Sequence, residues 1–152
     1  MPRCWLVKSE PSAYSIDDLA RDGRTCWDGV RNYQARNFLR DQMKAGDPVL
    51  FYHSNADPPA IVGLARVCRE AYPDHTARNP QGPHFDPAAT EENPIWMMVD
   101  IEFIQKFARP VTLAEMKADP DLAGLMLAQR GSRLSVQPVA EAHFRRICEQ
   151  GR

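Results

Sequence analysis

Short β-rich runs separated by turn residues constrain the fold of this chain more than any other feature of its sequence. Residues 95–107 alternate apolar and polar positions in their centre, which is the period of two expected of a half-buried strand. Similar runs lie at residues 4–8, 49–53, 60–72 and 134–136. Five or six strands with short helices at their ends predict one α+β domain over residues 1–152, built on a small mixed β-barrel.

Short helices are predicted where a capping residue precedes an apolar pattern. Ser15 and Asn32 each have a side chain that can accept a hydrogen bond from the first turn of a helix. Thr112 opens a capping box. Two further helices are predicted, one over residues 119–131 and one after Pro138.

The connecting segments contain three informative features. Residues 25–30 are predicted to form a turn with Asp-Gly at its centre. Gly63 lies inside a predicted strand and indicates a bulge or a close backbone approach. Residues 73–94 contain five prolines, so this stretch is predicted to be irregular, and a loop of this length in a compact domain is often functional.

The charge of the chain argues against a protein that coats nucleic acid nonspecifically. The net charge is −1, whereas nonspecific binding to the phosphate backbone requires a strongly basic surface. The charge is nevertheless uneven, because residues 24–44 contain five basic and two acidic side chains. This local excess predicts a basic patch beside a specific pocket.

Location and redox state follow from what the sequence contains. No signal peptide or membrane span is predicted, so the expected location is cytoplasmic in a bacterium or nuclear in a eukaryote. The four cysteines are Cys4, Cys26, Cys68 and Cys148, and their wide spacing matches neither a zinc site nor a disulfide scaffold. They are predicted to be reduced and mostly buried.

Patterns typical of catalysis are missing from the sequence. It contains no phosphate-binding G-x-x-x-x-G-K-[ST] loop, no G-x-S-x-G nucleophile elbow and no H-E-x-x-H zinc motif. His53 and Ser54 are adjacent, but neighbouring strand residues point to opposite faces. The chain is therefore predicted not to be an enzyme, with no catalytic residues, cofactor or metal.

Six longer segments occur in a characteristic order along the chain, namely WLVKSEP, YSIDDL, WDGVRNYQARN, GDPVLFYHS, EAYPD and GSRLSVQPV. Together they resemble the EVE domain family, which belongs to the PUA-like barrels and is related to the YTH readers of methylated adenine. Residues 84–87 depart from the family by being poorer in aromatic side chains. The resemblance implies a pseudo-barrel with a pocket at one mouth, in a protein that reads modified bases in DNA or RNA.

The residues in these segments suit the nucleobase pocket that the resemblance implies. A base lifted from its strand gains about 1–3 kcal/mol by stacking on an aromatic side chain, which Trp27 or Tyr52 can supply. The predicted ligand-binding residues are Lys8, Ser9, Glu10, Trp27, Arg31, Asn32, Tyr52, His53 and Ser54. The predicted phosphate-binding residues are Arg36, Arg130 and Arg133. The expected partner is DNA or RNA with a modified base, bound by a monomer.

Structural roles compete with these assignments at several positions. Trp5 and Trp96 are expected to pack in the core, and Trp27 can face either the core or the pocket. Arg36 can belong to a solvated helix face, and Arg133 can form an ion pair with Glu10 or Asp28. His75, His84 and His143 are expected to be loop or surface residues.

Three other functions remain open at this point. The domain could bind unmodified or structured RNA, as PUA relatives do. It could be a small nucleotide-acting enzyme with His53 or Glu10 as the base. It could also be an interaction module, which would have an exposed apolar patch instead of a concave pocket.

Overall fold

The computed structural model describes residues 3–129 and 133–152. Its strands are β1 (Cys4–Ser9), β2 (Arg24–Trp27), β3 (Pro48–His53), β4 (Ala60–Pro73), β5 (Met97–Thr112) and β6 (Val136–Val139). Its α-helices are α1 (Ile16–Asp22), α2 (Tyr33–Asp41), α3 (Leu113–Ala118) and α4 (Glu141–Gly151). Three 3-10 turns are present at His75–Arg78, Pro120–Leu122 and Met126–Ala128.

The six strands form one mixed sheet in the order β2-β5-β4-β3-β1-β6. The β1–β3 pair is parallel and the other pairs are antiparallel. Buried apolar side chains from all six strands meet in one cluster: Trp5, Val7, Trp27, Val49, Phe51, Ala65, Val67, Val99, Ile101 and Val136. The sheet therefore curls around a shared core, as the predicted α+β barrel requires, and β2 and β6 are its two hydrogen-bonded edges within the described residues.

The opposite face of the sheet is covered by the chain that follows β5. Leu6, Leu50 and Ile61 point to this face, where they pack with Met116 of α3 and Ile147 of α4. Side chains that alternate along a strand point to opposite faces, so β3 sends Phe51 to one core cluster and Leu50 to the other. The helices α1 and α2 cover the first cluster with Leu19 and Leu39, respectively.

The predicted helix starts are confirmed at three positions. Ser15 and Thr112 each form a capping box, and Asn32 accepts a hydrogen bond from the Ala35 amide at 3.0 Å. These contacts satisfy amide groups that a helix cannot pair within itself. These helix starts could be predicted from the cap residues alone, because a cap contacts only the first turn of its own helix.

Gly63 confirms the predicted close approach inside a strand. The β4–β5 register shifts between Ile61 and Gly63. A Cβ atom at Gly63 would lie 2.6 Å from Ile16 Cδ1 and 2.7 Å from the Gln105 carbonyl oxygen, so a larger side chain does not fit.

The predicted helix over residues 119–131 is wrong. Asp119 and Pro120 do start a helical turn, but Gly124 adopts a φ of 88°, and two 3-10 turns replace one helix. A left-handed residue ends a right-handed helix, which explains the break. Residues 130 and 131 of that prediction lie outside the described residues.

One turn prediction and one strand prediction also differ from the structure. Residues 25–27 were predicted as part of a turn, but they belong to β2, which pairs with β5 through Trp27 and Val99. The last strand is Val136–Val139, so it includes Pro138, which the edge position of β6 tolerates. Among the described residues, no helix has the length and apolar character needed to cross a membrane.

Candidate functional site

A cavity of about 490 Å³ opens between the two edges of the sheet, and we call it the edge cavity. It is lined by Lys8, Ser9, Glu10, Ala13, Tyr14, Thr25, Cys26, Trp27, Asp28, Gly29, Val30, His84 and Ser135. These residues come from the end of β1 and the loop after it, from β2 and the turn after it, from the proline-rich segment at His84, and from the residue before β6. The volume lies within the range of about 300–1,000 Å³ that is typical of small-ligand sites.

Trp27 forms an aromatic wall of the edge cavity. Its side chain is 9% exposed, and its ring meets Phe51 edge to face with centroids 5.5 Å apart. The indole is therefore held by the core on one side while it borders the cavity on the other. Lys8, Ser9 and Glu10 line the same cavity, so four of the nine predicted ligand-binding residues meet here.

The turn after β2 is built around Gly29. Gly29 has a φ of 78°, and a Cβ atom there would lie 2.7 Å from His84 Nε2. The Gly29 amide donates to Asp74 Oδ2 at 2.8 Å. The Asp-Gly turn therefore needs glycine for its backbone conformation and for the approach of the His84 ring.

Arg31 and Asp74 tie this turn to the proline-rich segment. Arg31 donates to Asp74 Oδ2 at 3.0 Å and to the His84 carbonyl oxygen at 2.7 and 3.0 Å. It also donates to the Val30 carbonyl and to Thr76 Oγ1, so all five of its N–H groups have acceptors. Burial opposes the ionisation of Asp74, but its hydrogen bonds outweigh this effect and hold the Asp74 pKa below its ordinary value.

The carboxyl groups of the edge cavity, unlike that of the Arg31–Asp74 network, are not paired within the part of the chain that the structure describes. The carboxyl groups of Glu10 and Asp28 have no hydrogen-bond or ion-pair partner within the described residues. Burial, followed by the nearby charge of Asp74, raises the pKa of Asp28. Burial also lowers the pKa of Lys8. Ser9 Oγ donates to the Tyr14 carbonyl at 2.7 Å.

Tyr52 and Ser54 line a different cavity from Trp27. This second cavity has a volume of about 950 Å³ and adjoins α3 and the two 3-10 turns after it. Lys8 borders both cavities. Tyr52 follows Phe51 in β3 and so faces the other side of the sheet, which means that Trp27 and Tyr52 do not share one pocket.

Three further predicted site residues line neither cavity. Asn32 caps α2. His53 Nε2 accepts a hydrogen bond from the Ile16 amide at 3.0 Å, and burial lowers its pKa. Arg31 belongs to the network described above. Sequence reasoning placed these side chains in the pocket, whereas the structure gives each one a partner within the protein.

The predicted phosphate-binding residues do not form one group in the structure. Arg36 donates to the Ile95 carbonyl at 3.1 Å, and its guanidinium carbon lies 4.9 Å from the Tyr33 ring centroid. Arg133 is exposed, and the ion pair with Glu10 or Asp28 that was its alternative structural role does not form. Arg130 lies outside the described residues.

The basic segment 24–44 is largely neutralised by its surroundings. Arg24 lies 3.5 Å from Asp100, Arg31 lies 3.0 Å from Asp74, and Lys44 lies 4.0 Å from Glu70. The local charge excess counted in the sequence therefore overstates the positive field at this surface, because acidic partners outside the segment were not included.

Asp28 and His84 are two titratable cavity residues that were not among the predicted site residues. Asp28 was noted only as a turn residue and possible ion-pair partner, although it directly follows Trp27 in a recognised segment. His84 was expected to be a loop residue, yet the length of its proline-rich loop was a usable signal. Trp5 and Trp96 are buried as expected, and their indole N–H groups donate to Asp47 and Asp86, respectively.

Residues suited to a metal do not cluster in the part of the chain that the structure describes. No group of three or more His, Cys, Asp or Glu side chains there has the geometry to hold an ion. The four cysteines are free thiols, and only Cys4 is fully buried. Burial raises the pKa of each thiol, which keeps it protonated and unreactive.

Comparisons with known proteins give a consistent result. The family model for the EVE domain matches residues 3–150. Thymocyte nuclear protein 1 of Homo sapiens is 45% identical over 159 residues, covering 92% of this chain and 70% of that protein. A crystal structure from Pseudomonas syringae is 45% identical with a TM-score of 0.93, covering 97% of this chain and 99% of that one. Human THYN1, crystallised with DNA containing 5-methylcytosine, is 42% identical with a TM-score of 0.91, covering 98% and 97%.

Proposed function

The chain belongs to the EVE domain family, and we propose that it is a noncatalytic nucleic-acid-binding domain that reads a modified base. The observation that carries this proposal is the edge cavity beside Trp27. The human relative crystallised with DNA containing 5-methylcytosine supports the same class of ligand. We infer that the base enters the edge cavity and that the strand passes over its rim.

The cavity offers both kinds of contact that an extruded base requires. The Trp27 indole supplies a flat apolar surface for stacking, which is worth about 1–3 kcal/mol. Ser9, Glu10 and Asp28 supply polar atoms for the base edge. Because Phe51 packs against the far side of Trp27, the stacking surface is fixed before the base arrives.

Cations near the cavity can hold the flanking phosphates. Lys8 borders both the edge cavity and the second cavity. Arg133 is exposed and lies two residues before Ser135, which lines the edge cavity. Phosphate contacts set the position of the strand, while the base contacts set its identity. The partner that we propose is DNA or RNA with a modified base.

A catalytic role for His53 has less support than base reading. A general base must be able to accept a proton from its substrate. In His53 the Nε2 atom already accepts the Ile16 amide proton, and this contact also caps the start of α1. His53 therefore contributes to the fold at the position where the enzyme hypothesis needs a free acceptor.

Binding to matched oligonucleotides tests the proposal. We expect tighter binding to strands with a single 5-methylcytosine than to unmodified strands at low salt, measured for single- and double-stranded DNA and for RNA. In Trp27→Leu the affinity is expected to fall by about tenfold or more, because the stacking surface is removed.

Trp5→Leu is the matched control for that variant. Trp5 is a fully buried tryptophan that does not line the edge cavity, so its replacement lowers stability without removing the stacking surface. Both variants are compared at a temperature at which circular dichroism shows them folded. A wild-type protein that binds none of the oligonucleotides above background would overturn the proposed function.

A further inference from the structure

Asp28 carries an exposed carboxyl group at the wall of the edge cavity. It lines the edge cavity directly after Trp27, and it has no hydrogen-bond or ion-pair partner among the described residues. Its neighbour in the fold, Asp74, accepts hydrogen bonds from Gly29, Arg31 and Thr76. Because Asp28 is exposed and borders the cavity, its carboxylate is solvated in the free protein and is available to accept a hydrogen bond from a ligand.

The backbone on both sides of Asp28 is held in place. Trp27 pairs with Val99 in the β2–β5 ladder, and the Gly29 amide donates to Asp74 at 2.8 Å. The carboxyl group is thus attached to a rigid turn at the wall that carries the indole. A ligand stacked on Trp27 would present its edge to groups on this turn.

The charges around Asp28 do not provide a hydrogen-bond donor for it. Asp74 disfavours a second negative charge, while His84, His75 and Arg31 favour it. Burial is the largest influence and raises the Asp28 pKa. Arg31 has all of its N–H groups committed elsewhere, so it does not donate to Asp28, and the carboxyl group is left available to a ligand.

We propose that Asp28 determines which bases the edge cavity accepts, by accepting a hydrogen bond from the exocyclic amino group of the bound base. The assignment rests on the proposed function. Cytosine and adenine carry such an amino group, at N4 and N6, whereas thymine and uracil present a carbonyl oxygen at the equivalent position. A carboxylate facing a carbonyl oxygen pairs two acceptors and leaves both without a donor. The cavity therefore selects amino bases over oxo bases.

Pairs of bases that differ at this one position provide the test. 5-Methylcytosine and thymine share the 5-methyl group but carry an amino and an oxo group, respectively. Adenine and hypoxanthine form an equivalent purine pair. Single-stranded oligonucleotides that differ only at the central base avoid the effect of a pairing partner. We expect the wild-type protein to prefer the amino member of a pair by about 10-fold or more.

The Asp28→Asn variant should lose that preference. A carboxamide can donate as well as accept, so it tolerates a carbonyl oxygen and an amino group alike. The expected result is a ratio near one, produced mainly by tighter binding of thymine or hypoxanthine. Asp57→Asn removes the same charge from an exposed loop between β3 and β4, outside the edge cavity, and should leave the ratio at its wild-type value.

Acidification should have the same effect as the substitution. The raised pKa means that Asp28 gains its proton at a higher pH than an ordinary carboxyl group, and it then donates to a carbonyl oxygen. The amino-to-oxo ratio should fall as the pH falls through this pKa in the wild type. In Asp28→Asn the corresponding pH dependence should disappear, which separates Asp28 from the titration of His84 and His75.

A stability measurement distinguishes this role from a structural one. A raised pKa in the folded state means that the charged form of Asp28 is destabilising at pH values above that pKa. Because Asp28 is exposed, this effect is small, so Asp28→Asn should leave the melting temperature at neutral pH unchanged or slightly higher, whereas loss of a structural contact would lower it.

The possible failures are distinguishable. Equal binding of both members of each pair by the wild type, or an unchanged ratio in Asp28→Asn, would overturn the role of Asp28 and leave the base-reading proposal standing. Failure to bind any of the oligonucleotides would overturn the proposed function, and this inference with it.

Discussion

The Arg31–Asp74 network and the edge cavity lie next to each other, but the charged groups of the network are paired within the protein, whereas the carboxyl groups of the cavity are not paired in the described part of the chain. In the network, all five Arg31 N–H groups and the buried Asp74 carboxylate have partners within the protein. In the cavity, the carboxyl groups of Glu10 and Asp28 have none among the described residues. Both regions look equally polar in the sequence, since WDGVRN contains Asp28 and Arg31 three residues apart.

This contrast separates residues that build the site from residues that can bind a ligand. Burying a charge costs free energy unless it is paired, so a satisfied network such as Arg31 with Asp74 stabilises the fold. A group left unpaired at the wall of a cavity can obtain its partner from a ligand. On this basis Arg31 supports the turn that holds Trp27 and Asp28, rather than contacting the nucleic acid itself.

The largest expected effect in this comparison comes from breaking the network at its buried carboxylate. Asp74→Ala removes the acceptor for Gly29, Arg31 and Thr76 and leaves a partly buried guanidinium without its ion pair. The free energy of unfolding should fall by about 3 kcal/mol, measured by urea denaturation. Asp41→Ala, which removes an exposed carboxylate beside Arg40, is the control and should leave the unfolding midpoint nearly unchanged. Equal effects of the two changes would show that the network has no special role in stability.

Removing the guanidinium of Arg31 should have the next largest effect. Arg31→Gln loses the paired hydrogen bonds to the His84 carbonyl and the ion pair with Asp74, so the free energy of unfolding should fall by about 2 kcal/mol. The dependence of oligonucleotide affinity on salt should keep its wild-type slope, because Arg31 touches no phosphate in this interpretation. A slope reduced by about one, with unchanged stability, would instead make Arg31 a phosphate contact.

The smallest expected effect belongs to the exposed rim. Arg133→Ala removes a cation that has no partner among the described residues, so stability should not change. Affinity should fall a few-fold and equally for modified and unmodified strands, with a salt slope reduced by about one. Arg145→Ala removes an exposed cation from α4, on the helical side of the sheet, and should leave both quantities unchanged. A change in base selectivity in Arg133→Ala would contradict a pure phosphate contact.

Local signals were sufficient for much of the fold. Ser15, Asn32 and Thr112 were predicted as caps because a cap depends on residues within one helical turn. Strand positions were predicted from alternation, and the bulge at Gly63 from its place inside a strand. The prediction failed over residues 119–131, where Gly124 interrupts the helix, since helix continuation depends on the conformation that one glycine adopts.

The amino-acid sequence by itself determined the strand pattern, the helix caps and the segments that identify the family, because each depends on neighbouring residues. Only the tertiary structure decided which polar side chains share a cavity. Lys8 and Trp27 meet there because β1 and β2 lie at opposite ends of the hydrogen-bonded strand order of a curled sheet, with only β6 beyond β1. Arg31 leaves the cavity because its partners Asp74 and His84 lie 43 and 53 residues away along the chain. Whether a charge is free or paired depends on such long-range contacts, and local sequence patterns do not contain them.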